Sequence, residues 1–332
     1  MRIGIVTPAP PDSRYGNRIT ALRWAKVLRC LGNNVSILET YDSQPFDMLV
    51  ALHARKSHPS IIHFRRQNPG APVIVALTGT DLYRDIRTNH LARESLEIAT
   101  RIVVLQPKAL EELEPGLREK TRVIYQSVAG RLVQTGRSGK AAKTTAGKSK
   151  GRPTGFFDVC VIGHLRAVKD PFRTAMAARL LPASSRIRVL QVGGAMTAGM
   201  AARARKEMNA NQRYQWLGEQ PRARARCILE KSSLCVLSSR LEGGANVLSE
   251  AIVASVPILA SRIDGNVGIL GVDYPGYFDV GATKELAQLL RRVEISSEVL
   301  AELRNRVKSL AFLFDPKREQ QAWSILSQEI FG

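Results

Sequence analysis

The chain has 332 residues, 44% of them hydrophobic, and a formal net charge of +20. That length exceeds one ordinary core and suits two domains, with the composition of a globular protein. No apolar run is long enough to cross a bilayer, and the opening MRIGIVTPAP lacks the apolar segment of a secretory signal.

The opening instead predicts a first strand, IGIVTP. Five further apolar segments follow in the first 130 residues: VSIL, DMLVAL, VIVALTGT, RIVVLQ and RVIYQS. Between the first two, Asn17 to Leu31 has helical spacing, with Ile19, Leu22, Ala25, Leu28 and Leu31 expected on one buried face. Apolar strands alternating with helices predict a parallel sheet covered on both sides. The expected fold class is therefore α/β, with residues 1–130 as a Rossmann-like domain.

Residues 131–155 break the pattern. Seven Lys/Arg and no acid occur between Arg131 and Arg152, in a stretch rich in Gly, Ser, Ala and Thr. Such a segment has little to bury and is expected to be a flexible basic linker or loop. It does not account for the whole positive charge, which points to anionic partners such as nucleotides and phosphates. The four cysteines, Cys30, Cys160, Cys227 and Cys235, form no C-x-x-C pair. Buried free thiols in a reducing cytoplasm are the expectation.

From Phe156 the alternation resumes with FDVCVIG, a helix over Pro171–Leu181, RIRVLQVGG, a helix near Ala198–Asn209, YQWLG, a helix opening at Pro221, and LCVLSS. PILAS follows, then a glycine-rich turn DGNVGILG. Residues 156–314 are expected to form a second Rossmann-like domain. A last amphipathic helix, within 315–332, is placed to pack back on the first domain.

In open parallel sheets, ligands bind beyond the C-terminal strand ends. LCVLSS runs into SRLEGGANVLSEA, which sets Glu242 and Glu250 around Gly243, Gly244, Ala245 and Asn246. A helix starting near Asn246, a good N-cap residue, would leave bare backbone N–H groups for a diphosphate. Glu250 would then meet a ribose diol and Glu242 a donor sugar. Carboxylates in a first helical turn are also common without a ligand, so these residues alone leave both readings open. GHLRAVKDP, after FDVCVI, adds Arg166 and Lys169 as cations for phosphate. Arg222, after LGEQP, either lies over a uracil face or simply occupies a helix start, and the sequence leaves both readings open. No D-x-D motif occurs, so the usual carboxylate pair for a divalent metal is missing.

The paired glutamates, the following Val256-Pro257 and the small-residue strand resemble the nucleotide-sugar signature of GT-B glycosyltransferases, especially family 4. The resemblance implies two Rossmann-like domains facing across a cleft. Lys169 falls on that family's phosphate-binding lysine, whereas His164 stands at its usual arginine position and an arginine appears at 166. Five stretches, ALHARKS, LTGTDLYRDI, GHLRAVKDPFR, SRLEGGANVLSEAI and SRIDGNVGILGVDYPGYF, are further similar to the selenosugar synthases of selenoneine biosynthesis. That resemblance implies transfer of a glucosyl or N-acetylglucosaminyl group from UDP-glucose or UDP-N-acetylglucosamine to selenophosphate. UDP and phosphate would be released. Its pathway partners would be enzymes that make selenophosphate and use the selenosugar.

For such chemistry the leaving diphosphate must be stabilised electrostatically, with Arg166, Lys169 and Glu242 as the expected catalytic set. No metal and no cofactor are expected, the UDP-sugar being a substrate. On the acceptor side the candidates are Gly16, Arg18, His53, Lys56, Thr78, Thr80 and Asp81, with Arg14 and Arg55 as further cations. Neither nucleic-acid binding nor stable membrane insertion is expected, the first because it leaves Glu242 and Glu250 without a purpose. A family-4-type transferase with a sugar or lipid hydroxyl acceptor is the alternative.

Overall fold

The computed structural model describes residues 1–129 and 155–332. Residues 130–154, nearly all of the expected linker, lie outside the described residues. The first half contains β1 (Arg2–Val6), α1 (Gly16–Cys30), β2 (Asn34–Leu38), β3 (Met48–Leu52), α2 (His58–Gln67) and β4 (Val73–Ala76). A π-helical turn, Asp81–Asp85, then runs into α3 (Ile86–Thr88). After it come α4 (His90–Ile98), β5 (Arg101–Val104), a 3-10 turn at Pro107–Glu112, α5 (Pro115–Glu119) and β6 (Thr121–Val123).

The second half opens with β7 (Phe157–Ile162), a 3-10 turn at Ala167–Lys169, α6 (Arg173–Ala178), β8 (Ile187–Val192), α7 (Ala198–Ala210) and β9 (Tyr214–Trp216). It continues through α8 (Arg222–Lys231), β10 (Leu234–Leu237), α9 (Asn246–Val253), β11 (Ile258–Ser261), α10 (Asp264–Leu270) and β12 (Tyr277–Phe278). Last are α11 (Thr283–Ile295), α12 (Ser297–Ser309), a 3-10 turn at Ala311–Phe314 and α13 (Pro316–Phe331).

Each half is built on a six-stranded sheet, in the orders β2-β1-β3-β4-β5-β6 and β12-β11-β10-β7-β8-β9. Every described pairing is parallel. The reason is visible in β3, whose five residues are all buried because helices cover both faces. Met48, Val50 and Leu52 pack with α1 and α13, while Leu49 and Ala51 pack on the other face with Ile61 and Phe64 of α2. The fold is thus α/β with two Rossmann-like units.

Several local expectations are corrected. The buried face of α1 is Thr20, Ala21, Trp24, Ala25 and Leu28, and Leu22 is exposed. Trp24 sets the helix rotation, because it packs against α13 where Leu22 has no neighbour to cover it. α6 spans Arg173–Ala178 rather than Pro171–Leu181, the chain first closing a turn in which the Arg173 N–H bonds the Asp170 carbonyl (3.1 Å). DGNVGILG is helix α10, not a turn. Cys160 and Cys235 are buried, but Cys30 and Cys227 lie on the outer faces of α1 and α8 and are exposed.

The chain ends by crossing back. α13 packs on α1, with Trp323 edge-on to Trp24 at 5.0 Å between ring centroids. Glu319 of α13 is buried and accepts from Trp24 Nε1 (2.9 Å), the Ser127 backbone N–H (3.0 Å) and the Ser127 hydroxyl. Burial pushes its carboxyl pKa up, against the lowering effect of Arg23 and these donors. Among the described residues no helix is long and apolar enough to cross a membrane.

Removing this acceptor tests the crossing. Glu319→Ala should lower stability by about 2–3 kcal/mol, the magnitude of leaving buried donors unpaired, read as a lower urea midpoint. Glu319→Gln keeps one acceptor oxygen and should lose less. Equal midpoints for wild type and Glu319→Ala would contradict the role given to this carboxylate.

Candidate functional site

The loops that leave the C-terminal ends of the two sheets meet face to face, and glycines set how closely. A Cβ on Gly243 would lie 2.5 Å from the Thr78 carbonyl oxygen and 2.8 Å from the Gly79 nitrogen. One on Gly244 would lie 2.8 Å from Leu105 Cβ. Gly268 of α10 faces the side chain of Gln106 in the same way, and Gly265 faces the Glu242 carbonyl. Such distances admit no side chain, so glycine is required where the halves touch, at Gly243, Gly244 and Gly268, and within the second half at Gly265. The Gly243–Gly244 pair was expected to offer bare N–H groups to a diphosphate. The same absence of side chains is also what lets this loop lie against the opposite half.

On the second half, Lys169 Nζ and Glu242 form an ion pair, and Ser239 Oγ donates to the same Glu242 oxygen at 2.6 Å. The loop carrying Lys169 is fixed from behind by the Arg240 N–H on the Val168 carbonyl (2.8 Å) and the Ser238 hydroxyl on the Asp170 carbonyl (2.8 Å). Arg166 is exposed, and its side chain makes no hydrogen bond or ion pair among the described residues.

Glu250, one turn into α9, takes a 3.2 Å ion pair from Arg222 of α8. The two pairs differ in tightness. The Lys169 and Glu242 side chains are 23% and 10% exposed, whereas Arg222 is 63% exposed. Solvent therefore weakens the Arg222 pair most, and Glu250 is the carboxylate more easily released to another partner.

Asn246 is the first residue of α9 and not its N-cap, a position held by Ala245 without a side-chain cap. The Asn246 amide is used elsewhere: its Oδ1 accepts 2.7 Å from Arg23 Nη2 of α1. Gly16, where α1 begins, is also close, with a Cβ there 4.0 Å from Asn246 Nδ2. The loop before α1 crosses to the second half as well. Arg14 pairs with Glu219 (3.6 Å) and donates to the Gln220 carbonyl (2.9 Å). Tyr15 stands edge-on to His164 at 5.8 Å. Arg14, Tyr15, His164, Gly194 and Glu219 line one open cleft.

The acceptor-side candidates cluster at the ends of β3 and β4. His53 is buried in a left-handed conformation (φ 75°), rare and strained for a residue with a Cβ. Its Nδ1 accepts from the Lys56 N–H (3.4 Å), which leaves Nε2 as the protonated nitrogen facing Thr80 Oγ1 at 3.1 Å. Burial holds the His53 pKa below the ordinary value, so the ring is neutral, although Asp81 and Asp85 pull the other way. Asp81 is fully buried and receives the N–H groups of Ala54, Thr78 and Gly79. It ties two loops together rather than standing open to a ligand. Arg55 is engaged by Asp85 at 2.8 Å. Lys56 is exposed, and Arg18 has its Nε shielded from solvent without a partner.

Tyr15, Arg23, Asp85, Leu105 and Glu219 were not singled out from the sequence. Each acts through a partner more than fifty residues away or a neighbouring loop, so no local pattern marks it. Helix α10 did carry a signal, Asp264 in its first turn, but three glycines outweighed it.

A sequence model described as glycosyl transferases group 1 matches residues 142–311, just over half of the chain. No curated protein matches the sequence. Among solved structures the chain is similar to Anabaena HepE in complex with UDP and glucose, at 14% identity and TM-score 0.74, covering 99% of this chain and 100% of that one. It is similar to sucrose-phosphate synthase from Thermosynechococcus elongatus at 15% identity and TM-score 0.73, covering 99% of both chains. It is also similar to trehalose-6-phosphate from E. coli bound with UDP-2-fluoro glucose, at 12% identity and TM-score 0.69, again over 99% of both chains. At such identities the likeness is one of fold, the GT-B arrangement of two Rossmann-like domains.

Gly243→Ala forces the seam apart by the contact of its Cβ with Thr78. Turnover should fall at least tenfold while the circular dichroism and urea midpoint stay near wild type; unchanged turnover would remove the seam from the site. A second expectation follows from His53. Its folded pKa is depressed below the unfolded value of about 6.5, so its neutral burial favours the fold above that pH. That contribution is lost as pH falls through about 6.5 towards the folded value. His53→Asn tolerates the left-handed backbone and does not titrate, so its urea midpoint should change less than wild type between pH 7.5 and 5. An identical pH dependence in both proteins would contradict this.

Proposed function

The chain belongs to the group 1 glycosyl transferases, and we propose that it is a selenosugar synthase, using a UDP-sugar as donor and selenophosphate as acceptor. The donor would be UDP-glucose or UDP-N-acetylglucosamine. Both neighbours solved with UDP or a UDP-sugar share this fold, which supports a UDP-linked donor here.

The observation that carries the reading is that the five stretches with the selenosugar-synthase resemblance touch one another in sequence of contact. His53 meets Thr80, Thr78 meets Gly243, Lys169 meets Glu242, and Glu242 meets Gly265. Stretches dispersed over some 230 positions thus form one continuous surface around the cleft.

In the proposed reaction the diphosphate lies by Lys169 and Arg166, and Glu250 exchanges Arg222 for the ribose hydroxyls. Glu242 faces the sugar. The selenium lone pair forms the C1–Se bond as the bond from C1 to the diphosphate oxygen breaks, with UDP carrying away the electron pair. Water then cleaves the Se–P bond, leaving the selenosugar and phosphate. An anion approaching a leaving diphosphate requires positive charge between them. With Arg55 committed to Asp85, Lys56 and Arg18 are the acceptor-side cations left to supply it. No resident metal or cofactor enters the scheme, and the reaction belongs in the cytoplasm beside the enzymes that make selenophosphate.

The test is mass spectrometry of the products when each UDP-sugar is offered with selenophosphate alone in excess EDTA. A seleno-monosaccharide and UDP are expected. If UDP forms only after a sugar or lipid hydroxyl is added, the acceptor is an alcohol and the selenosugar reading fails. Loss of activity with EDTA, restored by a divalent ion, would overturn the metal-independent scheme.

A further inference from the structure

The donor helix α9 is held from the opposite half by a residue that no sequence pattern marks. Arg23 sits in the middle of α1, a full turn and more beyond the loop that lines the cleft. Its Nη2 donates to Asn246 Oδ1 at 2.7 Å, a direct link from the first half to the first turn of α9. Its Nη1 is shielded from solvent and has no hydrogen-bond partner. A buried guanidinium is costly unless its N–H groups find partners, and the Asn246 amide is the partner this one has across the halves. Burial lowers the Arg23 pKa, and three charges act on it: Glu319 of α13, Arg222 of α8 and Glu250 of α9.

We propose that Arg23 is a positioning residue for the donor site, fixing the first turn of α9 through Asn246 and so setting where Glu250 stands. Glu250 is one helical turn beyond Asn246, so rotation of that first turn moves its carboxylate directly. Arg23 and Arg222 are both cations near Glu250, with different parts: Arg222 pairs with the carboxylate itself and is largely exposed, while Arg23 holds the helix and never touches it. The opposite end of the arrangement is equally fixed, because α1 is bound to α13 through Trp24 and Glu319. Closure of the two halves and orientation of the ribose-facing carboxylate are thereby one event.

The inference rests on the assignment of Glu250 to the ribose, so its test reads helix order separately from UDP binding. In the ligand-free protein, amide exchange across Asn246–Glu250 should quicken in Arg23→Met and in Asn246→Ala, and no further in the double variant. Calorimetric UDP titration should show affinity lowered roughly tenfold in each, the scale of a hydrogen bond to a charged group. Donor KM should rise by the same factor while kcat stays within about twofold, a pattern expected when ground-state and transition-state binding fall together. Arg23→Lys, which keeps the charge but not the fork, should recover part of the affinity. Unchanged exchange across Asn246–Glu250, or additive losses in the double variant, would overturn the positioning role. Absence of UDP binding by the wild type would instead overturn the donor assignment, leaving the exchange result to decide Arg23. Should Arg23→Met not fold, Asn246→Ala breaks the same contact from a half-exposed position and decides alone.

Discussion

The approach of Gly243 to Thr78 and Gly79 is the constraint on which the rest of the site depends. Backbone lies on backbone there, with no room for a Cβ. That distance brings the Lys169–Glu242 pair within one loop of Thr80 and His53, and it lets Arg23 reach Asn246. The same economy recurs at Gly244, Gly265 and Gly268, each facing a group that a side chain would displace. Flexibility is not what these glycines supply. Gly243, Gly244 and Gly268 let the C-terminal edges of the two sheets come into contact, and Gly265 packs α10 against the Glu242 loop within the second half.

Charge is then distributed so that both carboxylates of the donor loop are already paired, while Arg166, Lys56 and Arg18 add positive charge uncompensated among the described residues. Glu242 and Glu250 each hold a cation, one in a tight and partly buried pair, the other in a loose exposed one. Removing a partner from a buried pair is strongly unfavourable, whereas an exposed pair contributes little. An incoming anion with hydroxyls can therefore displace Arg222 from Glu250 at small cost. In the proposed reaction the diphosphate would replace the Glu242 carboxylate as the partner of Lys169. In the first half His53, Asp81 and Asp85 form a buried polar cluster, His53 held by Thr80 and the Lys56 N–H, Asp81 by loop amides and Asp85 by Arg55. It fixes loop shape, and the strained His53 backbone is held by that network.

The sheets were legible because parallel strands buried on both faces read as continuous apolar runs, as in Met48–Leu52. The chemistry-bearing loops were legible because they follow those strands. What failed was rotation and handedness at single positions. The α1 face turned on Trp24, whose partner Trp323 is nearly three hundred residues away. α10 was hidden because Gly265, Gly268 and Gly271 read locally as a turn, whereas the first two answer to distant contacts. Asn246 has the residue type of an N-cap, but a tertiary partner, Arg23, claimed its side chain. Local propensity is overridden wherever an interdomain contact is available to do so.

The central claim is that a nucleotide-linked donor seats at this seam and engages both halves. Hydrogen exchange of the wild-type protein, with and without saturating UDP, tests it most directly. Slower exchange is expected at residues 163–169 and 239–250 and, across the seam, at 77–81. Protection confined to other surfaces, or none on the 77–81 side at saturation, would contradict the account.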